Sequence, residues 1–187
     1  MNVTGMLFLL AVVLGLACEA TTPQGGGALG ADFRAKSATN QATIRLAGPI
    51  DKVFPLFGPV EEKKWVPGWN PQVVSPEGVS VAPGMVFLTQ EHSGTMYWVV
   101  TRYASEQHAV AYANVVPGFI VNRIEIQCRA AGKETECSVM YAHVALSEEA
   151  NRWVETQDAT AYSRKMAHWT EAINHWLTTG RTIEMHR

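Results

Sequence analysis

A chain of 187 residues, 47% hydrophobic and 17% charged, has the length for one domain of ordinary size plus an N-terminal appendage. Its formal charge of −2, with no cluster of Lys or Arg, lacks the electrostatic footprint of a nucleic-acid binder. Apart from one glycine-rich stretch near the start there is no repeat or low-complexity tract.

Residues 6–17 form an unbroken apolar run. Its length suits the core of a signal peptide and falls short of the ~20 residues a spanning helix needs. Residues 1–5 contain no Lys or Arg, so only the amino terminus supplies positive charge there. Gly15-Leu16-Ala17 stand directly before Cys18. That arrangement resembles the acylated cysteine of bacterial lipoproteins, with the usual leucine displaced by one position to Leu14. The expectation is a leader over residues 1–18 and export to the periplasm or outer surface, with Cys18 as the site of a lipid tether. A cleaved signal without lipid, or an uncleaved apolar start on a misplaced initiation codon, stays open. Residues 19–40 are small and polar, with Thr21-Thr22-Pro23 and Gly25-Gly26-Gly27, and read as a flexible linker.

The ligand-binding domain is expected over residues 41–181, followed by a tail at 182–187. Residues 41–47 alternate as a first strand with Ile44 and Leu46 on one face, and Gly48-Pro49 ends it. Val53, Phe54, Leu56 and Phe57 are interrupted by Pro55, which predicts two short helical pieces up to Trp65. Trp65-Val66-Pro67-Gly68-Trp69-Asn70-Pro71 is a turn flanked by tryptophans. Strand-like runs follow at 85–92, 96–103, 109–116, 119–129 and 134–146, separated by short turns that favour an antiparallel meander.

The last hairpin can be read in register. Gly132-Lys133 suits a two-residue type II′ turn, which pairs Ala131 with Glu134, Arg129 with Glu136 and Cys128 with Cys137. One face then carries Arg123, Glu125, Gln127 and Arg129. The other carries Asn122, Ile124, Ile126 and Cys128 opposite Cys137, Val139, Tyr141 and His143, and this second face is the inner one. The two cysteines fall at a non-hydrogen-bonded pair, a spacing of ~4.5 Å that a disulfide accepts. In an oxidising compartment they bridge; in a reducing one they are two buried thiols.

From Ser147, a candidate N-cap with Glu148 and Glu149 after it, one long amphipathic helix is predicted to run to a stop at Gly180. Trp153, Tyr162, Met166, Trp169, Ile173, Trp176 and Leu177 recur at steps of mostly three and four, marking its buried face. Such a helix is about 45 Å long. A β-rich domain ending this way is expected to be α+β, with a curved sheet wrapped around the helix over a cavity.

The order strand, two short helices, antiparallel sheet and long C-terminal helix resembles the START-like superfamily (SRPBCC), which includes polyketide cyclases, plant allergens and lipid-transfer domains. Val53-Phe54-Pro55-Leu56-Phe57, Pro59-Val60-Glu61, Trp65 with Pro67-Gly68-Trp69, and Trp98-Val99-Val100-Thr101-Arg102-Tyr103 are similar to a bacterial branch of it. So are Leu146-Ser147-Glu148-Glu149-Ala150-Asn151 and Ala172-Ile173-Asn174-His175-Trp176-Leu177. The resemblance covers about residues 41–180 and implies a helix-grip fold with an apolar cavity between sheet and helix. It brings no activity with it.

Candidate contacts follow from the inner faces. Asn122 and His143 stand opposite each other beside Tyr141, able to orient a carbonyl or hydroxyl or, failing a ligand, to satisfy each other. Tyr112 and Asn114 alternate onto the same interior. Trp65, Trp69 and Trp98 are candidates for the cavity wall and its entrance, and Trp153, Trp169 and Trp176 for packing. Neither arginine nor an acidic residue is placed inside by the pattern. His168, Glu171 and His175 share a helix face but lack the zincin spacing and a further ligand, so no metal is assigned. No phosphate loop, nucleophile elbow or Cys-x-x-Cys occurs, and no cofactor is expected. The leading expectation is an exported, non-catalytic domain that holds a small hydrophobic molecule or lipid. A cyclase- or hydratase-type enzyme with His143 as acid/base, and a peptide- or protein-binding module, are the alternatives.

Overall fold

The computed structural model describes residues 32–184 except 77, 79, 92 and 93. The expected leader, Cys18, most of the linker and the last residues of the tail lie outside the described residues. Among the described residues seven strands form one antiparallel sheet: β1 Ser37–Leu46, β2 Gln72–Ser75, β3 Val86–Glu91, β4 Gly94–Ala104, β5 Ala109–Val116, β6 Ile120–Ala131 and β7 Glu134–Ala145. Their order is β1-β7-β6-β5-β4-β3-β2. The meander is therefore continuous from β2 to β7, and β1 closes it by pairing with β7. Helix α1, Ile50–Val53, and two 3₁₀ turns, Phe54–Phe57 and Glu61–Lys64, join β1 to β2. Two helices, α2 Glu148–Glu155 and α3 Ala159–Thr179, follow β7.

Period-two patterning sets the faces. Along β6, Ile120, Asn122, Ile124, Ile126 and Cys128 are buried, whereas Arg123, Glu125, Gln127 and Arg129 are exposed. The register pairs Arg129 with Glu136, Cys128 with Cys137 and Asn122 with His143. Gly132 carries φ 70° at the turn and Lys133 stays out of the left-handed region, the pattern of a type II′ turn. Cys128 and Cys137 are joined by a disulfide, their Cα atoms 4.0 Å apart.

The single terminal helix expected from the hydrophobic stripe is two helices. Ser147 caps the first by accepting from the backbone N–H of Ala150 at 3.2 Å. A second start follows at Asp158, whose Oδ1 accepts from the N–H of Ala161 at 2.8 Å. Between them the Gln157 carbonyl turns outward and accepts a bond from Asn40 Nδ2 at 2.9 Å. Two good N-caps eleven residues apart, Ser147 and Asp158, define two helix beginnings, and the apolar period bridging them hid the break. Trp153 accordingly leaves the main core. It packs with Phe119 on a smaller one built from Val116, Ile120, Ala145, Ala150 and Val154.

Helix α3 lies against the concave side of the sheet. Tyr162, Met166, Ala172 and Ile173 are buried in the main core with Ile44, Leu46, Val139 and Ile126. Trp169, Trp176 and Leu177 pack on its margin. Gly180 ends the helix with φ 67°, its N–H donating to the Trp176 carbonyl at 2.7 Å. Strand β1 begins at Ser37, four residues ahead of the expected Gln41, and β2 carries too short an apolar run to stand out in the sequence. Beyond α3, Thr182 Oγ1 donates to the Lys64 carbonyl at 3.0 Å, and Ile183 packs on the core, so the tail starts folded. No helix among the described residues is long and apolar enough to cross a membrane.

Candidate functional site

A small cavity of about 60 Å³ remains between the sheet and the segment joining β1 to β2. Its wall is Glu62, Trp69, Phe87, Trp98, Tyr112, Ile124, Ile126 and Tyr141. At ~30 Å³ per molecule this is room for two waters, well under the ~300 Å³ at which ligand pockets begin. Large aromatic side chains are what fill the hollow. Phe87 and Trp98 stack at 5.3 Å with their planes 12° apart, and Trp69 meets Trp98 edge-on at 5.7 Å.

Trp69 also borders a surface cleft of about 480 Å³ lined by Val66, Pro67, Gly68, Asn70, Gln72, Leu88, Thr89 and Gln90. One indole therefore separates an outer cleft of ligand size from the inner void. It is carried on a tight turn: Trp69 N–H donates to the Val66 carbonyl at 3.2 Å, with Pro67 and then Gly68 at φ 76° between them. Proline first and a left-handed glycine second are what a type II turn requires. The indole N–H donates to the Pro59 carbonyl at 2.6 Å, which latches the ring in place.

The sequence-derived candidates divide into two groups. Trp69, Trp98, Tyr112 and Tyr141 meet at the cavity. Tyr112 is held there by donating its hydroxyl to the Phe57 carbonyl at 2.5 Å, and Trp98 by donating to Thr89 Oγ1 at 2.9 Å. Trp65 is instead core: it is 1% exposed, donates to the Leu56 carbonyl at 2.7 Å and packs edge-on against Trp169.

Asn114, Asn122 and His143 stand outside the cavity wall and form a buried chain of their own. Asn122 Nδ2 donates to Asn114 Oδ1 at 2.7 Å, and Asn122 Oδ1 lies 2.7 Å from His143 Nδ1. Because that oxygen can only accept, the network assigns the proton to Nδ1. Burial, and then the positive charge of Lys165, lowers the His143 pKa to about 4. Its ring meets Trp153 edge-on, the centroids 5.1 Å apart.

Glu62 corrects the expectation of an interior without acidic residues. It lies on the 3₁₀ turn Glu61–Lys64, next to charged neighbours that disguise it in the sequence as a solvated run. Its carboxyl takes part in no hydrogen bond or ion pair among the described residues, and burial pushes it well above the ordinary carboxylate range. The same carboxyl, after burial itself, helps push the phenols of Tyr112 and Tyr141 upward. Lys165 places its ammonium 4.2 Å from the ring centroid of Tyr141. No cluster able to hold a metal occurs among the described residues.

A curved antiparallel sheet gripping a C-terminal helix, with short helices between the first two strands, is the helix-grip architecture of START-like (SRPBCC) proteins. Solved structures agree. Norcoclaurine synthase from Thalictrum flavum superposes with a TM-score of 0.57 at 12% identity, over 78% of this chain and 88% of that one. The Zhui aromatase/cyclase from a Streptomyces species gives 0.55 at 10% identity over 79% and 100%, and Ara h 8.0201 gives 0.55 at 14% over 77% and 99%. At such identities the likeness is one of fold. No protein-family model and no curated protein matches the sequence.

Proposed function

We propose that this protein binds a small, largely apolar molecule in the space between the sheet and the segment joining β1 to β2, without catalysing its conversion. The observation that carries the reading is the junction at Trp69, where one side chain on a Pro67-Gly68 turn borders both an aromatic-walled void and a cleft of about 480 Å³. In this closed form the aromatic rings occupy the hollow. Binding moves Trp69 aside, and burial of apolar surface at about 25 cal/mol per Å² supplies the affinity. The use of this fold by cyclases such as Zhui is compatible with a small-molecule site. The wall presents one carboxyl and two phenols, all three pKa values raised by burial, which gives contacts for orientation. The reading also places the domain outside the cytoplasm, with Cys18 as a lipid tether. The apolar run at residues 6–17 and the Cys128–Cys137 bridge support that location.

The test is titration with the neutral fluorophore N-phenyl-1-naphthylamine, on wild type and Trp69→Ala. Saturable binding is expected in both, tighter in the variant because the plug is gone. Absence of saturable binding in either protein, with circular dichroism unchanged, refutes the reading. Native mass spectrometry of protein from its own host would reveal a co-purifying molecule.

A further inference from the structure

The most informative group left unexplained is the Glu62 carboxyl. It borders the cavity alongside four electron-rich rings, Trp69, Trp98, Tyr112 and Tyr141, and has no hydrogen-bonding or charged partner among the described residues. The residue is half-buried, and a carboxyl drawn in among aromatic rings gives up part of its hydration, so a fold that retains one at a ligand site gains when the ligand supplies the missing charge. The ring set points the same way, since indole and phenol faces attract cations and repel anions. Tyr141 already demonstrates the preference by carrying the Lys165 ammonium over its ring.

Resting on the reading of this space as a ligand site, we infer that the ligand is a small organic cation, an amine in its ammonium form, with Glu62 as its counter-ion and Trp98, Tyr112 and Tyr141 as its aromatic wall. An anion would meet the carboxylate at close range in a poorly screened interior. A neutral apolar molecule would seal the carboxyl in with nothing to satisfy it. An ammonium ion forms a charge-assisted hydrogen bond to Glu62 while its carbon skeleton covers the rings.

The experiment compares three isosteric probes on the full chain by ligand-observed NMR at mildly alkaline pH: benzylamine, benzyl alcohol and benzoate. Benzylammonium is expected to bind about tenfold more tightly than benzyl alcohol, with benzoate weakest. In Glu62→Gln the ratio of the first two should collapse to about one. Equal or tighter binding of benzyl alcohol to wild type overturns the inference while leaving the ligand site intact. So does a cation preference that survives Glu62→Gln. If none of the three binds to wild type or to Trp69→Ala, inference and ligand site fall together. The wild-type comparison needs no variant, so a folding defect in Glu62→Gln does not shield the proposal.

Discussion

Replacing His143 with Gln removes a titrating group from the interior and should change how stability responds to acid. In the native state the ring is neutral, with a pKa of about 4 against an ordinary value of 6.5. The unfolded chain therefore takes up a proton first as pH falls, and the native state loses stability from about pH 6.5 down to about pH 4. Below that window the loss is complete. Each pH unit between the two values is worth about 1.4 kcal/mol, so His143 alone should cost about 2 kcal/mol by about pH 5 and about 3 kcal/mol by about pH 4, relative to pH 7. The physical cause is the proton that Nε2 would gain in a site shared with Trp153 and facing the positive Lys165. Urea unfolding followed by tryptophan fluorescence near pH 7, 5 and 4 measures it. Gln can still donate to Asn122 Oδ1, and any fixed cost of the substitution cancels in the slope. Parallel decline of wild type and His143→Gln across that window would refute the neutral, desolvated histidine.

Glu62 has the opposite sign. Burial holds its native pKa well above the ordinary carboxylate range, so its burial penalty grows as pH rises from that range up to the native pKa and is complete above it. Glu62→Gln should therefore be more thermostable than wild type at alkaline pH and differ least near pH 4; a thermal melt series showing no pH-dependent gap counts against the buried carboxyl. Asp158→Ala removes the cap of α3 and should cost about 1 kcal/mol in urea unfolding. An unchanged midpoint would mean that α3 does not begin there. Cys128→Ser combined with Cys137→Ser opens a loop of nine residues' separation, and about 2–3 kcal/mol should be lost, with reductant giving the same loss in wild type.

The sheet was legible because strand patterning has a period of two and a hairpin turn fixes everything beyond it. From Gly132-Lys133 outward, each inward residue of β6 and β7 could be assigned, including the cysteine pair. The division of the terminal helix was not legible. Trp153 lies in phase with the Tyr162 stripe, and only the capping bond of Asp158 shows that they serve separate cores. At the site, Trp69, Trp98, Tyr112 and Tyr141 could be named because aromatic residues at turns and on inner faces must pack or line space. Asn114 and His143 share that inner face but lie further along it, where β5 and β7 reach α2, and the pattern alone does not say which level of the sheet a void occupies. Glu62 was hidden by its neighbours. In Glu61-Glu62-Lys63-Lys64 nothing local separates the one carboxyl that turns inward from the solvated charges around it.

Asn151 has a mechanical consequence. Its Oδ1 accepts from the Lys36 N–H at 2.7 Å and its Nδ2 donates to the Arg34 carbonyl at 3.0 Å, a two-point clasp from α2 onto the segment entering β1. Any pull delivered from the N-terminal side reaches this clasp before it reaches the β1 ladder. The edge strand is thereby spared from being peeled off first, and α2 serves as the anchor bolt through which the domain would bear load.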